Sequence, residues 1–252
     1  MRGDKTGMKL LKSYILPVYV QMTAAAVLTY VLRANGAVCG YESGIGLMMI
    51  ALGGVSTAMW GCIYQLRYGD KRPKEIFSDF FRFKVDPKAY GQAAVFLTVD
   101  FLGVILFGRL DAGVGTLVAL FVKAIAFGGI EELGWRYTFQ PWVEKRISYV
   151  PATLLTFLCW GIWHFMFFYI DGSISAVQTL PFCVGLLTNC FILSALYNSS
   201  KNLWLCVMTH ALINTFAQTT SVENGWIGYV TSALIIAFAI ILNIKKPARA
   251  EQ

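Results

Sequence analysis

Charge is scarce in this chain. Of its 252 residues, 21 are Lys or Arg and 14 are Asp or Glu, a charged share of 14%, where a soluble enzyme has about a quarter. Hydrophobic residues make up 57%, and the mean hydropathy is +0.59. Such a composition excludes disorder, a collagen-like fibre and an ordinary soluble enzyme. The net charge of +7 does not point to nucleic acid, because too little polar surface is left for a phosphate-tracking face. Paired cysteine spacing is also missing, and the six cysteines fall mostly inside apolar runs, where they read as small buried hydrophobes. No Gly-x-Ser-x-Gly elbow is present, so a serine nucleophile is not indicated. No His-Glu-x-x-His run is present either, and the whole chain holds two histidines, His164 and His210. Repeats, low-complexity runs and a second domain are lacking, so residues 1–252 read as a single membrane-embedded domain.

What the chain has is long apolar runs. Eight stretches, at about 15–32, 45–66, 90–108, 112–140, 152–170, 176–197, 203–219 and 226–244, are long enough or nearly so to cross a hydrocarbon core of about 20 helical residues. The fold class expected is all-α, a polytopic transmembrane helical bundle of about eight spans. The first run is longer than a signal-peptide core and is taken as a true span. Lys and Arg set the orientation. With both termini cytoplasmic, that side carries 17 of them, seven in the 67–89 segment alone, and the other side carries Arg33 and Arg109. In that segment Ile76, Phe77, Phe80, Phe81 and Phe83 mix with Lys74, Arg82, Lys84 and Lys88. It reads either as a helix in the headgroup layer or as a plain juxtamembrane loop. The expectation is a multi-pass integral membrane protein, with the plasma membrane as its location.

Ionisable side chains are costly inside a bilayer, so each needs a partner or a task. Asp100 and Lys123 fall at matching depth on consecutive spans, and a structural ion pair between them is expected, with a proton or ion path as the alternative. At the end of the fourth span, Glu132 and Arg136 are four residues apart on one helical face, whereas Glu131 points about 100° away. Glu131 is left without a cation. Helical rise puts Glu131, His164, His210 and Asn214 in one layer, about 11 to 18 Å from the cytoplasmic ends of their spans. Histidines in spans also serve as hydrogen-bonding glue between helices, but two of them at the depth of an unpaired carboxylate favour water activation. Glu131 would take a proton from water, with His164 orienting that water. His210 and Asn214, one turn apart, would donate to a developing oxyanion.

At these residues the sequence resembles the CPBP family of intramembrane proteases, also called the Abi or CAAX protease family, which includes prenyl-protein CAAX endopeptidases. The family's motifs Glu-Glu-x-x-x-Arg, Phe-x-x-x-His and His-x-x-x-Asn/Asp are matched by Glu131 to Arg136, Trp160 to His164 and His210 to Asn214. They lie within a core of about 120–220. Trp160 departs from the pattern, standing where the family has Phe. The resemblance implies an endopeptidase with Glu131, His164, His210 and Asn214 as catalytic residues and Glu132, Arg136 and Trp160 as structural support. It also implies a membrane-associated protein or peptide substrate, lipidated or not, and the lipid bilayer as partners. Zn2+ held by Glu131, His164 and His210 is the alternative to a metal-free site. A non-catalytic bacteriocin self-immunity protein and a transporter are the competing functions, the latter disfavoured by the lack of repeat symmetry.

Overall fold

The computed structural model describes residues 9–222 and 226–244. Helices dominate. In chain order they are α1 (Leu11–Ala34), α2 (Gly44–Tyr68), α3 (Pro73–Phe80), α4 (Pro87–Asp100), α5 (Leu102–Phe107), α6 (Val114–Glu144), α7 (Tyr149–Asp171), α8 (Thr179–Ser200), α9 (Leu203–Thr219) and α10 (Trp226–Ile244). Strands β1 (Gly108–Leu110) and β2 (Thr220–Val222) form a short antiparallel ribbon that ties the end of α5 to the end of α9. Among the described residues six helices, α1, α2, α6, α7, α8 and α10, are long and apolar enough to cross a membrane. The chain is a multi-pass integral membrane protein.

Helices stand at all eight expected stretches, but two fall short of a full span. The third is broken at Phe101 into α4 and α5, and α9 has 17 residues. The expected Asp100–Lys123 ion pair is not formed either. Both α4 and α6 pack on α9, so consecutive helices are not the neighbours that a simple hairpin would make them. Lys123 instead places Nζ 5.3 Å from the centre of the Tyr41 ring, a cation over an aromatic face. Among the described residues no ion pair joins it to Asp100.

Backbone groups at helix ends have no water to turn to within a bilayer, so side chains must satisfy them. Arg33 at the end of α1 donates to the Tyr169 and Ile170 carbonyls of the last turn of α7, at 2.7 and 3.1 Å. Gly172 ends that helix in the left-handed region, φ 90°, where a glycine bears no Cβ penalty. Tyr19 of α1 and Ser56 of α2 reach the same helix: the Tyr19 hydroxyl donates to the Cys159 carbonyl and the Trp163 indole donates to Ser56 Oγ. Helix α7 is thereby fixed from one side by α1 and α2, and it packs on α8 from the other.

The segment between α2 and α4 does form a helix. Helix α3 buries Ile76 and Phe80 in a cluster with Leu133, Tyr137, Trp204 and Val207 and leaves Phe77 exposed. Asp79 accepts from Lys71 at 2.8 Å and from the Tyr137 hydroxyl, with Arg82 3.6 Å away. Burial alone would push the Asp79 carboxyl up, but the Lys71 and Tyr137 hydrogen bonds and the neighbouring cations outweigh it and hold it below its ordinary value. This clamp holds the residue that follows Arg136.

Candidate active site

The centre of α6 is not one regular helix. Phe127 ends its first part, Gly129–Glu131 is a 3-10 turn, and Trp135–Phe139 winds as a π-helix. Irregular backbone at membrane depth is tolerated where protein covers it and resatisfies its carbonyls. Gln65 of α2 donates to the Tyr137 carbonyl at 2.8 Å, and the Thr138 hydroxyl donates to the Leu133 carbonyl at 2.9 Å. Gly61 lets α2 come close, since a Cβ there would lie 2.6 Å from the Leu133 carbonyl oxygen.

This turn divides the two glutamates as the helical wheel requires. Glu132 is fully buried, with Oε2 3.5 Å from Arg136 Nε and Oε1 2.8 Å from His210 Nδ1. Glu131, 6% exposed, forms no ion pair among the described residues. Its Oε2 accepts the Trp160 indole N–H at 2.6 Å. His164, one turn further along α7, places Nδ1 3.0 Å from the Trp160 carbonyl oxygen. Because that oxygen can only accept, Nδ1 carries the proton and Nε2 keeps a lone pair. Trp160, Trp163, Phe168 and Phe182 surround the imidazole, with ring centres 5.1 to 5.8 Å away.

His210 and Asn214 come from the facing side of α9 and converge beside Gly128. A Cβ on Gly128 would lie 2.5 Å from Asn214 Nδ2 and 3.2 Å from His210 Nε2. Glu132 holds Nδ1 of His210, so it is Nε2 that faces this spot. Two nitrogens thus approach one small space at the turn that presents Glu131. All four residues singled out from the sequence are gathered here, and Trp160 lies among them, its ring 5.2 Å from His164 and 5.3 Å from His210.

Three features were missed by the sequence reading. The Glu132–His210 contact joins helices 78 residues apart and leaves no spacing signal. Gly128 carries no signal of its own. The Trp160 bond was legible in principle, because an indole N–H inside an apolar span needs an acceptor. As for zinc, no group of three His, Cys, Asp or Glu side chains is gathered at ligand distance among the described residues. The donor set available to a metal is the two histidine Nε2 atoms and a Glu131 oxygen.

Comparison with known proteins points the same way. The family model described as type II CAAX prenyl endopeptidase Rce1-like matches residues 113–216. A curated relative, CAAX prenyl protease 2 of Methanococcus maripaludis, is 29% identical over 126 residues, which is 46% of this chain and 46% of that protein. The chain thus matches about half the length of this relative. The family-model match encloses Glu131–Arg136, Trp160–His164 and His210–Asn214, so the segment that carries the candidate site is similar to the type II CAAX prenyl endopeptidases.

Proposed function

We propose that this protein is a CAAX-type intramembrane endopeptidase that hydrolyses a peptide bond of a membrane-associated protein or peptide. The observation that carries the reading is the convergence of Glu131, His164, His210 and Asn214 about one 3-10 turn and the Trp160 ring, with Glu131 the glutamate of the pair that forms no ion pair among the described residues. Glu131 takes a proton from water, and the hydroxide so formed attacks the scissile carbonyl carbon. His164, whose Nε2 keeps a lone pair, accepts a hydrogen bond from the water and orients it. The new oxyanion settles beside Gly128, where Asn214 Nδ2 donates to it. His210, its Nδ1 held by the Glu132 carboxylate, faces the same spot with Nε2 and donates to the oxyanion when that nitrogen carries a proton. Collapse of the tetrahedral intermediate breaks the C–N bond, and Glu131 returns its proton to the leaving amine.

No step in this scheme runs through a metal. Were zinc bound by Glu131, His164 and His210, it would polarise the carbonyl and the water, and Glu131 would no longer be free as the base. The basic excess of the N-terminal tail and the 67–89 segment favours cytoplasmic termini and a site open to that side. The name of the archaeal relative favours a prenylated protein tail as substrate. Purified protein in lipid vesicles, given a farnesylated CAAX peptide and the same peptide without the lipid, tests activity and substrate class together. Cleavage of the farnesylated peptide supports both, cleavage of both peptides alike removes the lipid from the proposal, and cleavage of neither contradicts the CAAX reading.

A further inference from the structure

Trp160 has no task in the mechanism above, yet it touches Glu131, Arg136, His164 and His210. It is fully buried. Its N–H bonds Glu131, its ring lies 4.4 Å from the Arg136 guanidinium carbon, and both catalytic histidines contact its faces or edge. Its own carbonyl oxygen sets the His164 tautomer. A hydrophobic wall would need only the ring. The indole adds one donor that cannot accept, aimed at one oxygen of a carboxylate that has no other side-chain hydrogen bond among the described residues.

We infer that Trp160 is a positioning residue that selects the working oxygen of Glu131. A carboxylate with two free oxygens rotates about its terminal torsion, which is broad for glutamate, and presents either oxygen to water. With Oε2 held by the indole, Oε1 is left to take the proton, and the carboxylate plane is fixed with respect to His164 and Gly128. A phenylalanine at this position keeps the ring contacts with Arg136 and the histidines but leaves the carboxylate free to turn. This inference rests on Glu131 being the general base.

Replacing Trp160 by 3-benzothienylalanine, which keeps the bicyclic shape and puts sulfur in place of the N–H, isolates the donor. Trp160→Phe serves as the encoded companion. Loss of a hydrogen bond to a charged group corresponds to about 10- to 100-fold, and that fall is expected in kcat with KM changed less than about twofold, because the ring wall remains. In a 15N-tryptophan spectrum, the indole resonance missing from Trp160→Phe is expected to lie downfield in the parent and to move upfield in Glu131→Gln, where a neutral amide replaces the carboxylate. A folded benzothienyl protein with the parent kcat overturns the inference, as does an indole resonance indifferent to Glu131→Gln or a loss confined to KM. If Trp160→Phe fails to fold, the benzothienyl protein, which also lacks the indole N–H, assigns the resonance, and its kcat and the spectrum still decide. Failure of the underlying reading looks different: Glu131→Gln would then cleave normally, whereas an inactive Glu131→Gln beside a fully active benzothienyl protein removes the positioning role alone.

Discussion

Replacing Gly128 by alanine separates the chemistry of the site from its stability. Position 128 has φ −85° and ψ −48°, ordinary right-handed values that alanine adopts, and in a helix alanine is favoured over glycine by about 1 kcal/mol. The added methyl would lie 2.5 Å from Asn214 Nδ2 and 3.2 Å from His210 Nε2. The first distance is well inside van der Waals contact, so the Asn214 amide must swing away, and the methyl then occupies the space assigned to the oxyanion. Displacing one oxyanion donor costs about 10²- to 10³-fold in kcat. Gly128→Ala is therefore expected to keep its Tm within about 3 °C of the parent, since 1 kcal/mol moves a chain of this size by about 2 to 4 °C, while kcat falls by that factor. Cleavage of a fluorogenic peptide in vesicles, read beside a thermal melt in the same vesicles, measures both. Parent-like cleavage by a folded Gly128→Ala protein would refute the placement of the oxyanion beside His210 and Asn214. A large fall in Tm would refute the claim that this glycine is there for space at the site.

Other consequences follow from the charges around this turn. Glu132→Ala removes the carboxylate between Arg136 and His210 and strands a fully buried guanidinium, at about 3 to 5 kcal/mol; its thermal melt should show a large fall, which Glu131→Gln should not share. The clamp at Asp79 has a pH signature: its folded carboxyl titrates below its unfolded value of about 3.9, so its stabilisation is present above that pH and is lost as pH falls through the folded value. Asp79→Asn should lower Tm at pH 7, with the difference from the parent closing in acid melts below about pH 4; a difference that persists there counts against the clamp. Cleavage should survive chelators, and elemental analysis should find no stoichiometric zinc. About one zinc per chain, with activity lost in step with its removal, would make the metal-free mechanism wrong while leaving the site residues in place.

Much of this architecture is legible in the sequence because the bilayer imposes simple rules. Apolar runs of the required length located every long helix, and four scarce polar residues on α6, α7 and α9 gave the candidate site. The Glu132–Arg136 pairing also followed from spacing, since both lie within one helical segment. What escaped was whatever depends on which helices are neighbours. Asp100 and Lys123 looked like partners because their spans are consecutive, but α9 packs on both helices and Lys123 turns to Tyr41. The 3-10 and π turns of α6 were hidden for a related reason: their carbonyls are satisfied by Gln65 from another helix and by Thr138, and no local pattern records that support. The Trp160 to Glu131 bond lies between these cases, since a buried indole announces that it needs an acceptor without saying which.

The central claim is that Glu131 is the base of a hydrolytic site and that its neighbour Glu132 is held in place by charge. It is tested most directly by cleavage of the farnesylated CAAX peptide by purified, vesicle-reconstituted Glu131→Gln, matched with the parent for folded protein by thermal melt. The amide cannot take a proton from water yet fills the same volume and still offers Trp160 an acceptor. Base catalysis is worth about 10² to 10⁴, so the account predicts a folded variant with kcat lowered by at least that factor. Parent-like turnover by folded Glu131→Gln would contradict it.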